Sequence, residues 1–158
     1  MTKSLIKDAN NDLYTFKTID SSATLFATLS SAYEKKEPWV GYGWEPTWIM
    51  GMLDMVLLED ESYSVENFND GVGSFPSVNV TVCMSNDASE KYPEIKAFLA
   101  NYQTSSAMTN EALAYMSENN VEADQAAIYF LKNNTDLWSN WVTKEAYDKV
   151  MTALDQFE

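Results

Sequence analysis

The sequence predicts an α/β fold, and three observations lead to it. Strand-like patterns occur at residues 13–19, 39–44, 55–58 and 78–82; a stripe of apolar residues at helical spacing lies between the first two; and past residue 84 the pattern is helical throughout. In residues 13–19, Tyr14, Phe16 and Thr18 alternate with their neighbours, the period of a half-buried strand. A helix follows, with Ser21 or Ser22 able to accept from a free first-turn amide. Leu25, Phe26, Leu29, Ala32 and Tyr33 form its apolar face, Lys35 and Lys36 sit at its negative end, and Pro38 stops it. Residues 39–44 read as a short strand, Glu45-Pro46 as a turn, and residues 47–53 as a turn or two of helix opened by Thr47. The continuous apolar run 55–58 suits a buried strand, and the acidic stretch 59–69 a surface loop.

Residues 71–76, Gly-Val-Gly-Ser-Phe-Pro, mark a change of chain direction. Val78, Val80 and Val82 then alternate with Asn79, Thr81 and Cys83 in the clearest strand of the sequence, the candidate crossing between two lobes. Cys83 in such a strand is most simply a small buried residue. Beyond it, Pro93 introduces a helix with Ile95, Phe98, Leu99 and Tyr102 on one face. Thr109 is placed to cap a second helix through Met116, and a third covers residues 124–132 with Ala127, Ile128 and Leu131 inward. Trp138 and Trp141 are expected to clamp the last helix, residues 144–154, which Thr143 caps and whose inner face is Tyr147, Val150, Met151 and Leu154.

Composition removes several classes of function. The 158 residues suffice for one domain with a core, or for a piece of a larger one. Ten Lys and Arg against twenty-four Asp and Glu give a net charge of −14, which argues against a nucleic-acid partner, since phosphate binding needs clustered cations. The chain has no histidine and one cysteine, so most hydrolase triads and zinc sites are excluded, no metal or cofactor site is expected, and no internal disulfide can form. The carboxylates Glu59 and Glu61 lie in a polar loop and read as a solvated face rather than an acid–base pair. No apolar run is long enough for a signal peptide or a membrane span, so any export signal is expected outside this sequence.

Residues 37–48, EPWVGYGWEPTW, concentrate three of the five tryptophans with a tyrosine, two glycines and two prolines. Indole and phenol faces attract cations through the ring quadrupole, and Gly and Pro fix a backbone in one turn, so the stretch reads as a cation-binding loop. The plainer alternative is that these tryptophans fill a core, or anchor a protein-interaction or self-associating module with no transport role.

The run 37–48, continued by Leu53-Asp54-Met55-Val56-Leu57-Leu58, resembles the substrate-binding proteins of glycine betaine and proline betaine ABC importers. Phe75-Pro76-Ser77-Val78, Tyr92-Pro93-Glu94-Ile95, Asn110-Glu111-Ala112-Leu113 and Asp136-Leu137-Trp138-Ser139 resemble the C-terminal part of the same family. The resemblance implies a type II periplasmic-binding fold, of which this chain would be about half, with residues 1–70 in one α/β lobe, 71–84 crossing the hinge and 85–158 forming the helical part of the other lobe. Four strands are few for a covered parallel sheet, so completion by domain swapping in a homodimer, or by a missing N-terminal segment, is expected. It further implies a non-enzymatic binding protein that captures glycine betaine or a similar quaternary amine at the extracellular face of the membrane or in the periplasm and hands it to an ABC permease. The ligand-binding residues would be Trp44, whose ring faces the cation, and Thr47, at a position where many relatives carry a carboxylate-binding histidine. Tyr42 and Trp48 would be secondary members.

Overall fold

The computed structural model describes residues 17–157. Among these residues the regular elements are nine helices: α1 (Ser22–Lys35), α2 (Trp48–Met52), α3 (Val65–Asp70), α4 (Asn86–Lys91), α5 (Pro93–Asn101), α6 (Ser106–Asn119), α7 (Ala123–Asn133), α8 (Thr135–Trp138) and α9 (Lys144–Leu154). They belong to two compact units, one comprising residues 17–43 and 55–79, the other residues 44–54 and 80–157. None of the described helices is long and apolar enough to cross a membrane.

No strand or sheet occurs among the described residues, which corrects the α/β, type II periplasmic-binding-protein-like fold expected from the sequence, and with it the half-sheet awaiting completion by domain swapping. Residues 39–44, 55–58 and 78–82 have no regular structure, and neither do residues 17–19; the rest of the first expected strand lies outside the described residues. The physical reason is that alternation describes only how side chains would be distributed on a ladder, whereas a strand exists only where a neighbour takes its backbone hydrogen bonds. Without that neighbour the apolar side chains stay in water: Leu57 is 94% and Val80 96% exposed. Cys83, expected buried in a strand, is likewise exposed.

In the first unit, α1 begins where Ser21 Oγ accepts the Thr24 N–H at 3.2 Å. It ends where Lys36 turns left-handed (φ 58°) and returns its amide to the last carbonyls, two residues ahead of Pro38. Phe26 and Leu29 are its buried residues, two of the five apolar positions expected on that face. The stretch expected as an acidic loop contains α3, which Ser64 caps by accepting the Asn67 N–H at 3.0 Å and which Gly71 closes at φ 78°. Apolar periodicity missed it because α3 buries none of its residues.

In the second unit, Pro93 occupies the first turn of α5 as expected. Ser105, not Thr109, caps α6, its Oγ accepting the Met108 N–H at 3.2 Å; Thr109 lies within the helix and donates back to the Ser105 carbonyl. In α7 the buried small residue is Ala126 rather than Ala127. The stacked rings of Tyr115 and Tyr129, with centroids 4.0 Å apart, join α6 to α7. The Tyr129 hydroxyl donates to Glu111 Oε1 at 2.8 Å, a bond to an anion that raises the phenol pKa above its usual value.

The core of this unit gathers Trp138, Trp141 and Leu154, with Phe98, Leu131 and Met151 packed against them. Trp138 is 2% exposed, and its indole N–H donates to the Leu131 carbonyl at 2.7 Å, so the one polar atom of the ring is satisfied inside the core. Thr143 caps α9 through the Ala146 N–H at 3.3 Å, and α9 presents Leu154 inward and Tyr147 to the Trp138 ring at 5.2 Å. Trp138→Ala is expected to cost about 3–5 kcal/mol, from lost burial and the cavity left behind. Urea denaturation followed by circular dichroism measures it, and a loss below about 1 kcal/mol would mean that the ring is not a core residue.

Candidate functional site

The aromatic stretch divides between the two units after Gly43. Trp39, Gly41 and Tyr42 belong to the first. The Trp39 indole N–H donates to Thr28 Oγ1 at 3.3 Å, which fastens this tryptophan to α1. A Cβ on Gly41 would stand 2.3 Å from the Trp39 ring, so only glycine lets the chain pass so close to that indole. Tyr42 rests on Phe75, with centroids 5.1 Å apart, and Phe75, Phe68 and Tyr63 continue a file of edge-on rings whose members are all partly exposed.

Trp44, Thr47 and Trp48 lie together in segment 44–54 of the second unit. Trp44 is 39% exposed, Trp48 is half-buried and Thr47 is buried; the Glu45-Pro46 peptide between them is cis. The loop is held by one buried side chain that the sequence did not single out. Asn110 of α6 is 4% exposed; its Oδ1 accepts the Thr47 N–H at 2.7 Å and its Nδ2 donates to Glu45 Oε1 at 3.0 Å. The orientation of that amide is dictated by its partners. A backbone N–H can only donate and a carboxylate can only accept, so the flipped amide would oppose both. Thr47 stands at the N-cap position of α2, as expected, but its hydroxyl donates to the Trp44 carbonyl at 3.3 Å instead of accepting a first-turn amide.

Helix α2 is seated on α6 just beyond this point. Ile49 is 0% exposed, and Gly51 lies so close to α6 that a Cβ there would be 2.3 Å from the Asn110 carbonyl oxygen and 2.9 Å from the Ala114 Cβ. The carbonyl of Asn110 therefore receives the helix while its side chain receives the loop. The loop thus presents the partly exposed indole of Trp44 on a backbone held from α6, and an aromatic face of that kind suits an organic cation. The hollow lined by Lys132, Thr135, Met151, Leu154, Asp155 and Phe157 includes none of these residues.

Of the four residues expected at the site, the structure therefore puts three on one short segment and Tyr42 in the other unit. Asn110 was overlooked because it is 65 residues from Glu45 in sequence. Its only signal was register: it shares a helix face with Leu113 and Ala114, so it falls on an inward-facing stripe where a polar residue needs a partner. Comparison with protein families matches residues 1–133 to the substrate binding domain of the ABC-type glycine betaine transport system. That match takes in Trp44, Thr47, Trp48 and Asn110 and most of the chain, and the chain belongs to this family of transport substrate-binding domains.

Proposed function

We propose that the chain binds glycine betaine, or a closely similar quaternary amine, with the Trp44 ring against the trimethylammonium group, and serves an ABC permease from the outer side of the membrane. The observation that carries the proposal is the Trp44 indole, partly exposed on a loop whose backbone is fixed by a buried amide. A trimethylammonium group donates no ordinary hydrogen bond and spreads its charge, so aromatic faces are the groups suited to it, each contributing on the order of 1–2 kcal/mol once water is excluded. Fixing the loop in advance lowers the ordering cost of binding. The Thr47 hydroxyl is the polar candidate for the ligand carboxylate, and to serve it must exchange the Trp44 carbonyl for the ligand. Trp48, on the same segment, is the secondary candidate for a further aromatic face.

Calorimetric titration of glycine betaine, proline betaine, carnitine and choline, with tryptophan fluorescence in parallel, tests the reading. Saturable binding of at least one trimethylammonium or dimethylammonium zwitterion is expected, with weaker binding of choline, which lacks the carboxylate. Absence of heat and of a fluorescence change with all four overturns it.

A further inference from the structure

We propose that Asn110 and Glu45 form a positioning pair that sets the aromatic loop, and that the direction of their hydrogen bonds is what the site requires. The inference rests on the betaine-binding reading and deepens it by naming residues that govern affinity without touching the ligand. Three facts carry it. Asn110 is buried and both ends of its amide are engaged, Oδ1 by Thr47 N–H and Nδ2 by Glu45 Oε1. Both partners lie in the loop, on either side of Pro46, so a single side chain fixes the loop at two points. The same residue's backbone carbonyl faces Gly51, which leaves α6 little freedom to shift beneath the loop. The relay is polarised: an N–H donor enters Asn110 at one end and a carboxylate receives its proton-bearing end at the other. Only a side chain with an acceptor and a donor at that spacing satisfies both partners, and a buried polar group left without one is costly.

Polarity can be separated from bulk because Asp has nearly the shape of Asn. In N110D the carboxylate still accepts the Thr47 N–H but has no hydrogen for Glu45, and two carboxylates meet at a contact that is now 3.0 Å. In the double variant N110D/E45Q the bond is restored in reverse, with the new side-chain amide in the loop donating to the new carboxylate on α6. The full chain is titrated with glycine betaine by calorimetry as wild type, E45Q, N110D and N110D/E45Q, and exchange of the Thr47 amide is followed by NMR without ligand.

N110D is expected to bind about tenfold more weakly at neutral pH, the size of one misplaced part-buried hydrogen bond to a charged group. Its deficit narrows as the pH falls, because two facing carboxylates raise each other's pKa and the proton they then share restores the missing donor. E45Q and the double variant stay within about threefold of wild type, since each retains a donor and an acceptor at the contact. A merely structural Asn110 would lower stability in N110D and leave the dissociation constant unchanged at every pH, which overturns the proposal, as does a double variant no better than N110D. If wild type fails to bind glycine betaine, the functional reading falls by itself and the pair is judged on amide exchange. Fast exchange of the Thr47 amide in N110D that slows again in the double variant supports it, and equal exchange in all four proteins overturns it.

Discussion

Gly51→Ala lowers the stability of the second unit, although alanine is the better helix former. In an exposed helix the change would gain about 1 kcal/mol. Here the new methyl would stand 2.3 Å from the carbonyl oxygen and 2.7 Å from the carbonyl carbon of Asn110, backbone atoms that cannot rotate aside. Helix α2 has to lift from α6. Lifting exposes Ile49, whose burial is worth about 2 kcal/mol, and stretches the bond from Thr47 N–H to Asn110, worth about 1 kcal/mol. The expected net loss is therefore about 2 kcal/mol, opposite in sign to the propensity effect. Urea denaturation of wild type and variant decides it, because equal or greater stability in the variant would show that α2 does not rest on α6 as described.

Under the proposed function, Trp44→Ala is expected to remove most of the affinity for glycine betaine. Loss of a desolvated cation–π contact of about 2 kcal/mol corresponds to a dissociation constant about thirtyfold higher, and Trp44→Phe, with a weaker quadrupole, falls between. Calorimetry gives the constants, and denaturation in parallel separates a binding defect from a folding one. An unchanged constant in Trp44→Ala places the ligand elsewhere. Taken with Gly51→Ala, Trp44→Ala distinguishes the face from its support: it should lose affinity at constant stability, and Gly51→Ala should lose both.

Most helices of the C-terminal half were legible because they announce themselves locally. Pro93 and Thr143 mark starts, and the spacing of Trp138 and Trp141 puts both rings in the core where α9 covers them. Helix α3 was read as a loop, and α4 was not set apart within a stretch read as helical, because they bury no residue and so lack the apolar period on which helix detection rests; only Ser64, Gly71 and Ser85 betray their ends. The strands were overread for the converse reason. Val78, Val80 and Val82 have the side chains of a strand, but a strand is a relation between two segments, and no composition within one segment can report whether the other is present. At the candidate site, Trp44, Thr47 and Trp48 stand in one dense motif that the sequence displays. Asn110 was not legible, since a contact across 65 residues leaves no local trace beyond the register of a polar residue on an inward-facing stripe.

The exposed valines of residues 78–82 have a colloidal consequence. A short window of β-branched residues with no charge and no proline is the kind of segment that stacks with copies of itself. What opposes such stacking in this chain is long-range repulsion from a net charge of −14, not cover over the valines. Repulsion of that kind is confined to about 8 Å at physiological ionic strength and to less in stronger brine, whereas apolar attraction strengthens in salting-out media. Electrostatic opposition to such stacking therefore weakens as salt rises.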